Sequence, residues 1–244
     1  MRENKYDDPD FFEKYGQMPR SAEGLSAAGE WRQFREMFPE LAGKRVLDLG
    51  CGYGWHCKYA ADNGAASVLG IDISEKMLEE AKRRNADPVV EYRRLAIEDA
   101  ALPDGSFDLA VSSLALHYVE SFAGVAANVH HLLAGGGAFV FSVEHPVFTA
   151  EGRQEWFCDA EGNRVFWPVD RYFDESVRNA VFLGKTVKKY HRTVASYLAG
   201  LLENGFVIRS VVEPTPERAL MESVPEMRDE LRRPMMMLVA AEKR

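Results

Sequence analysis

A glycine-rich turn between two acidic residues is the feature of this sequence best suited to bind a reactive small molecule. Residues 46–54 read VLDLGCGYG, so Asp48 is followed by glycines at positions 50, 52 and 54. Glycines at alternate positions let the backbone turn sharply and approach a ligand without side-chain clashes. A helix is predicted to follow the turn, and the N–H groups at its start suit a carboxylate.

The second acidic residue, Asp72, ends the next apolar segment and lies 22 residues beyond Gly50, where a carboxylate can accept hydrogen bonds from ribose hydroxyls. A turn for a dinucleotide would read GxGxxG, whereas here the third glycine comes one residue earlier. Asp48 would repel a pyrophosphate but attract the ammonium group of an amino acid. The turn therefore suits a nucleoside that carries an amino-acid tail.

This stretch resembles the signature of class I S-adenosylmethionine-dependent methyltransferases of the small-molecule type, which include uncharacterised bacterial members. The resemblance covers residues 44–143 and the last two strands. It implies S-adenosylmethionine as cofactor, S-adenosylhomocysteine as product, and no metal. The implied cofactor site consists of Asp48, Gly50, Cys51, Gly52, Gly54, Asp72, Ile73, Met77, Ala96, Ile97, Glu98 and Ser113.

Within that implied site, Asp48 and the glycines would line the methionine end, and Asp72 would hold the ribose. Ile73 and Met77 would pack on the adenine, while Ile97 would contact its face. The Ile97 amide or the Glu98 side chain would meet the adenine edge. Ser113 would lie near the methionine moiety or the methyl group.

Methyl transfer from a sulfonium is a direct in-line displacement, so alignment and desolvation are the main tasks of such an enzyme. Some acceptors also need a proton removed, and histidine is the natural base near neutral pH. The candidates are His117 after the fourth strand, His145 after the fifth, and His191 where the chain returns to the core. The alternative for each histidine is a packing, turn or helix-capping role.

Four further residues are candidates for contact with the acceptor: Tyr190, Arg192, Trp167 and Tyr172. Arg192 would pair with an acidic substrate, and the aromatic side chains would line an apolar pocket. The alternative for the aromatic residues is a small satellite core under a long loop.

The predicted elements place these residues at one edge of a sheet. Strands alternate with helices, which predicts an α/β fold with a doubly wound, mostly parallel sheet. The resemblance implies seven strands in the order 3-2-1-4-5-7-6, with the last strand antiparallel and an insertion after strand 5. A helix is expected from about Ser21 to Phe38, and a hairpin from about Asp159 to Val165 with Gly162-Asn163 at its turn.

A single domain of four parts is expected. Residues 1–40 form an arm and helix that could act as a lid, and residues 41–145 form the cofactor-binding core. Residues 146–190 form an aromatic insertion that could cap the substrate, and residues 191–244 supply the last helix and strands. The chain has 244 residues, 46% of them hydrophobic, which is enough for such a core.

Charge and composition narrow the partners. The net charge of −8 disfavours nucleic acid, and four clustered basic residues are expected to form a solvated helix end: Lys185, Lys188, Lys189 and Arg192. The sequence has three cysteines that form no metal-ligand pattern, and it shows neither a secretory signal nor an apolar run of about 20 residues. These features predict a cytoplasmic protein without a membrane span. A monomer or a homodimer is expected.

The segment after the fourth strand lacks the motifs of enzymes that methylate nucleic-acid bases or, with a metal, catechols, so these acceptors are disfavoured. The prediction is a small-molecule acceptor. Three alternatives stay open. One is a transferase that uses decarboxylated S-adenosylmethionine. Another is a protein or tRNA methyltransferase. The third is a non-catalytic S-adenosylmethionine-binding or interaction module of the same fold.

Overall fold

Seven strands form one central sheet. The computed structural model describes residues 4–244, without the side chains of four residues between positions 219 and 226. The strands are β1 (Arg45–Leu49), β2 (Ser67–Asp72), β3 (Val90–Arg94), β4 (Phe107–Ser113), β5 (Leu133–Glu144), β10 (Phe206–Val212) and β11 (Met236–Lys243). Their order is β3-β2-β1-β4-β5-β11-β10, and β11 is antiparallel to both of its neighbours. The predicted fold class is confirmed. The predicted strand order is confirmed too, since β10 and β11 are the sixth and seventh strands of this sheet in chain order.

Helices flank this sheet and precede it. They are α1 (Pro9–Gly16), α2 (Pro19–Ala22), α3 (Trp31–Glu36), α4 (Trp55–Asp62), α5 (Glu75–Arg84), α6 (Phe122–Leu132), α7 (Pro146–Thr149), α8 (Val194–Glu203) and α9 (Arg218–Ser223). Short 3-10 helices cover Lys5–Asp7, Gly24–Ala27, Ile97–Asp99, Leu116–Tyr118 and Pro225–Arg232. None of the helices between residues 4 and 244 is long and apolar enough to cross a bilayer.

The central strands are apolar along their whole length because both faces of the sheet are covered. Successive side chains of β1 enter opposite cores: Val46 joins the core that contains Phe34, whereas Leu47 joins the core that contains Phe139 and Phe141. All five side chains are at most 1% exposed. This two-sided burial fixes the position of the carboxyl edge of the sheet, where the turn after β1 lies.

The single helix expected from Ser21 to Phe38 is wrong, because the chain forms three short helical segments there instead. Gly24 adopts a φ of +73°, and a Cβ atom at this position would lie 2.8 Å from the indole of Trp55. The left-handed residue breaks the helix. It also lets the backbone approach that ring, which belongs to the first residue after the glycine-rich turn.

The insertion is more regular than expected. The predicted hairpin is confirmed, with β6 (Phe157–Cys158) paired to β7 (Arg164–Phe166), but a second hairpin was not predicted: β8 (Val177–Phe182) pairs with β9 (Lys185–Tyr190). The basic cluster therefore lies largely on a strand, and its expected helical form is wrong. Because strand residues alternate between faces, Lys188 is exposed while Lys189 is 3% exposed.

Three consecutive glycines, at positions 135–137, lie within β5, which begins at Leu133. A run of three glycines is compatible with a turn or with an edge segment of a strand. Here they form a bulge, because Phe107 is in register with Leu133 and Leu109 with Ala138, so the pairing with β4 skips the three glycines.

Candidate functional site

The turn after β1 requires glycine for two different reasons. Gly50 has a φ of +76°, and a Cβ atom there would lie 2.6 Å from the Cβ of Ala115. Gly52 has a φ of +51°, but a Cβ atom there would meet nothing within 4 Å. The first glycine thus allows close packing between β1 and the segment after β4. The second leaves an open backbone surface that a ligand can approach.

Asp72 is bonded to this turn by one of its carboxylate oxygens. The backbone N–H of Gly52 donates to Oδ2 at 2.9 Å, and the N–H of Ser74 donates to Oδ1 at 2.8 Å. Each oxygen keeps one lone pair for another donor. Burial raises the pKa of Asp72 to about 6, although both N–H groups oppose the shift. Above that pH the carboxylate is a fixed acceptor for two hydroxyl groups.

Asp48 is buried beneath the turn, with 1% of its surface exposed. The Cys57 thiol donates to its Oδ2 at 3.2 Å, whereas its Oδ1 has no hydrogen-bond partner among the residues described. Burial raises the pKa of Asp48 to about 7. A cationic group beside Oδ1 would satisfy this oxygen and stabilise the ionised form.

The remaining candidate cofactor residues surround the same edge. Met77 and Ile97 are buried, with 1% and 9% exposure, at the start of α5 and in the 3-10 helix after β3. The Cδ1 atom of Ile97 would be 3.4 Å from a Cβ atom at Gly50. Cys51 and Ser113 line a small cavity beside the turn. Burial raises the pKa of Cys51 to about 11, so it remains a thiol.

This cavity has a volume of about 70 Å³ and lies between the glycine-rich turn and the N-terminal segment, residues 4–36. Its lining includes Tyr15, Arg20, Ser21, Leu25, Ala28, Trp55 and His56. The N-terminal segment is attached to the sheet edge by polar contacts. The Ser74 hydroxyl donates to Asp7 Oδ1 at 2.6 Å, and the hydroxyls of Tyr6 and Tyr118 are 3.4 Å apart.

Among the three candidate histidines, His117 follows Ala115, which packs against Gly50, by two positions. It is 2% exposed, and its Nδ1 accepts a hydrogen bond from the Glu144 N–H at 3.4 Å. Burial lowers the pKa of His117 to about 4. Because Nδ1 is the acceptor, the hydrogen of the neutral ring is on Nε2. In this tautomer His117 offers a donor rather than a base.

The other two histidines have structural partners. His145 Nδ1 accepts from the Val147 N–H at 3.0 Å and caps α7, while its Nε2 is 2.8 Å from the Glu213 carboxylate. His191 Nδ1 is 2.7 Å from the Thr149 hydroxyl, and its Nε2 is 2.9 Å from the Tyr172 carbonyl. Neither ring lines the cavity beside the turn.

One of the proposed acceptor residues, Arg192, is bonded to the backbone, and a second, Tyr190, packs against it. The Arg192 guanidinium donates to the carbonyls of Val119 and Glu120 at 2.5 and 2.7 Å, and its side chain is largely buried. The Tyr190 ring lies below it, with the guanidinium carbon 5.7 Å from the ring centroid. This arrangement joins the end of β9 to the segment before α6.

The aromatic candidates form a small cluster. Trp167 stacks on Phe148 with centroids 5.0 Å apart, and its Nε1 donates to the Val147 carbonyl at 3.2 Å. The Arg233 guanidinium lies 4.3 Å from the Trp167 ring centroid. The Tyr172 hydroxyl accepts from the backbone N–H at the start of α8 at 3.1 Å. These contacts favour the satellite-core alternative for Trp167.

A buried polar cluster at the end of β5 was missed by sequence reasoning. The Lys189 ammonium donates to Glu144 Oε1 at 2.6 Å and to Gln154 Oε1 at 2.9 Å. Gln154 also donates to Glu144 Oε2 at 2.7 Å. Strand alternation in the residues around position 189 was the one signal that could have revealed an inward-facing lysine. In the described part of the chain, no group of three His, Cys, Asp or Glu side chains is arranged to hold a metal.

Comparison with known proteins identifies close relatives. A family model described as a methyltransferase domain matches residues 47–141. A structure from Listeria monocytogenes, assigned as an S-adenosylmethionine-dependent methyltransferase, is 56% identical, with 91% of this chain and 99% of that chain covered and a TM-score of 0.86. An S-adenosylmethionine-dependent methyltransferase from Mesorhizobium loti is 48% identical, covering 90% of this chain and 100% of that chain, with a TM-score of 0.84. An uncharacterised Haemophilus influenzae protein is 34% identical over 86% of this chain and 85% of its own length.

Proposed function

The chain belongs to the S-adenosylmethionine-dependent methyltransferases, and from this premise we propose that it transfers the cofactor's methyl group to a small-molecule acceptor. The observation that carries the proposal is that three basic residues near the carboxyl edge of the sheet are buried and already paired. Lys189, Arg178 and Arg192 are all at least 92% buried and donate to carboxylate or carbonyl oxygens of the protein itself.

A tRNA or DNA substrate requires accessible cations that neutralise phosphates. Buried and paired cations cannot supply them, and the net charge of −8 adds a general repulsion. The carboxyl edge is also covered by the N-terminal segment, which is bonded to it through Asp7 and Tyr6. A covered edge with neutralised basic groups favours a small acceptor over a polymer.

The residues at the turn fit the cofactor. Asp72 has two free acceptor positions for the ribose hydroxyls, and the orphaned Oδ1 of Asp48 suits the ammonium group of the amino-acid tail. The open space at Gly52 allows close approach of the ligand to the backbone, and Met77 and Ile97 provide apolar contacts for the adenine. When bound, the cofactor supplies a methyl carbon on a sulfonium that is already activated as a leaving group.

The chain's own contribution is then to orient the two reactants and exclude water. We assign the N-terminal segment, residues 4–36, the role of a cover over the cofactor. His117 is the candidate for contact with the acceptor, and its tautomer makes it a hydrogen-bond donor that orients an acceptor oxygen or nitrogen. His145, His191 and Arg192 support the surrounding loops in this scheme.

The test is a transfer assay with S-adenosylmethionine labelled in the methyl group. The enzyme is incubated at pH 8 with three separate fractions of a bacterial extract: small molecules, tRNA and protein. We expect label in the small-molecule fraction, and S-adenosylhomocysteine formed in equal amount. Asp72→Asn should abolish the transfer, whereas the matched surface variant Asp104→Asn should leave it unchanged.

Two outcomes would contradict the proposal. Label recovered only in tRNA or in protein would replace the acceptor class. Tight binding of S-adenosylmethionine without transfer to any fraction would favour the non-catalytic module of the same fold.

A further inference from the structure

The strand β3 is an edge of the central sheet, and among the described residues it has a strand on one side only, β2. The N–H of Leu95, directly after β3, donates to the Asp72 carbonyl of β2 at 3.0 Å, so the odd-numbered residues of this segment bond to β2. Successive N–H and carbonyl groups of a strand alternate in direction. The even-numbered residues Tyr92 and Arg94 therefore direct both of these groups away from the sheet.

The side chains on one face of this edge carry opposite charges. The side chains of Glu91 and Arg93 are 63% and 45% exposed, and their charged groups lie 2.7 Å apart. An exposed ion pair within one chain contributes little to stability, so it can be exchanged for another pairing at low cost. A charge on an edge strand usually prevents a second strand from pairing there. Here the two signs are separated by one residue, Tyr92, which makes the edge complementary to itself.

The face of β3 that carries these charges borders an open groove. Residues 95–106, all of them described, connect β3 to β4 through a single 3-10 helix and place no longer helix over this face. The groove has a volume of about 540 Å³, and its lining includes the apolar side chains of Leu69 and Phe107. Glu91 and Arg93 line the same groove. A second chain can therefore reach both the backbone of β3 and its charged face.

We propose that β3 pairs with β3 of a second copy of this chain, antiparallel about a twofold axis at Tyr92. The two seven-stranded sheets then form one continuous sheet. In this register Glu91 of each copy lies opposite Arg93 of the other, and each intrachain ion pair is replaced by one between the copies. The inference is independent of the proposed function, because it uses neither the cofactor edge nor the acceptor.

The charges select this register over its neighbours. A closed twofold interface places each surface patch against itself. If the axis passed through Glu91 or Arg93, two like charges would face each other directly, which is destabilising in a sheet. Only an axis at Tyr92, between the two charges, makes both opposing pairs attractive.

The backbone groups fit the same register. The two copies of Tyr92 face each other as a hydrogen-bonded pair, in which each N–H donates to the opposite carbonyl. The outward N–H of Arg94 in each copy meets the outward carbonyl of Val90 in the other. The Val90 N–H is already bonded to the Asp87 carbonyl at 3.0 Å, and Pro88 has no N–H. The pairing therefore ends near Val90.

The experiment measures the oligomeric state by sedimentation equilibrium between about 1 and 200 µM protein. We expect a reversible dimer with a Kd of about 1–100 µM, since each copy contributes one short strand. Hydrogen exchange of the Tyr92 amide should slow as the protein concentration rises, because its N–H is bonded only in the dimer.

Single charge reversals test the register. Glu91→Arg places arginine at both positions and Arg93→Glu places glutamate at both, so each variant alone should dimerise about tenfold or more weakly than the wild type. A mixture of the two variants should associate as well as the wild type, because every opposing pair is again of opposite sign. The double variant Glu91→Arg/Arg93→Glu should also dimerise normally.

The matched control is Arg209→Glu, an exposed reversal on β10 at the other edge of the sheet, which should leave the Kd unchanged. Thermal unfolding midpoints of the single variants should match that of the wild type. Three results would overturn the inference. They are a wild type that stays monomeric throughout, as for an edge left free or taken by another protein, a dimer that neither reversal weakens, and single variants whose mixture does not recover association.

Discussion

Replacing Asp72 with asparagine should disable the cofactor site while leaving the protein folded. The two side chains have the same shape, but the carboxylate accepts one backbone N–H on each oxygen, from Gly52 and from Ser74. In asparagine one of these atoms becomes an NH₂ group. It then faces an N–H donor, and it can no longer accept a ribose hydroxyl on that side.

The magnitude follows from these contacts. Hydrogen bonds to a charged acceptor contribute roughly 1.5–3 kcal/mol each. Asp72→Asn removes one ribose contact and the charge that strengthens the other, and it loosens the turn at Gly52. We expect a loss of about 2–4 kcal/mol in binding free energy, or about 30- to 1,000-fold in Kd for S-adenosylhomocysteine.

Calorimetry and thermal unfolding at pH 8 measure this loss. For the wild type, ligand at a hundred times the Kd adds about 2.7 kcal/mol to the stability of the native state. In a chain of this size the unfolding midpoint should rise by roughly 5–11 °C. The same ligand concentration should shift the midpoint of Asp72→Asn by less than about 3 °C, and that of the control Asp104→Asn by the full amount.

The pH dependence of ligand binding provides a second test of the role of Asp72. Burial raises the pKa of Asp72 to about 6 from 3.8, so the native state holds this proton more tightly than the unfolded chain. The stability from this group is present below pH 3.8 and is lost as the pH rises towards 6. Ligand binding needs the ionised form, so wild-type affinity should weaken below about pH 6. Asp72→Asn should lack this step, whereas the weakening below about pH 7 that is expected from Asp48 should remain. Binding by Asp72→Asn within threefold of the wild type at pH 8 would refute this account of the site.

Three further variants, two of them with a matched control variant, test separate parts of the structure. Gly52→Ala and Gly43→Ala both force alanine into left-handed backbone with open space around the Cβ, so each should destabilise the fold by about 1–2 kcal/mol. Only Gly52→Ala should weaken S-adenosylhomocysteine binding in calorimetry. Equal affinities of the two variants would contradict the proposal that the ligand approaches the backbone at Gly52. Arg192→Ala removes the donor to the carbonyls of Val119 and Glu120. It should lower the unfolding midpoint by roughly 6–12 °C, or about 3 kcal/mol, whereas Lys188→Ala should not change it. His117→Gln should lower kcat by less than about tenfold. The pH–rate profile should not change between pH 6 and 9, because burial lowers the pKa of His117 to about 4. A loss of a hundredfold or more in kcat would identify His117 as a general base.

Much of the sheet edge that carries the proposed cofactor site could be predicted from local sequence. The alternation of apolar strands and helices predicts the mostly parallel sheet, which the structure confirms. The glycines and Asp72 were recognised because turn geometry and a carboxylate at a strand end are local properties. Two-sided burial of the central strands makes such signals strong.

The histidines and basic residues of the acceptor side could not be assigned in this way. His191 depends on the Thr149 hydroxyl, 42 positions away in the chain, and Lys189 depends on Glu144, 45 positions away. A buried polar group takes its role from the partner that satisfies it. No periodicity within ten residues encodes such a partner.

The sequence by itself therefore determined the sheet, the glycine-rich turn and the acidic residues Asp48 and Asp72 in β1 and at the end of β2, because backbone conformation and side-chain period are set by neighbouring residues. The tertiary structure alone decided that the expected first helix breaks at Gly24 against Trp55. It also decided that His117 presents a donor, and that Arg20, Ser21 and Trp55 meet at one cavity. These outcomes depend on which distant surfaces the fold brings into contact, since burial and hydrogen-bond satisfaction are properties of the packed molecule.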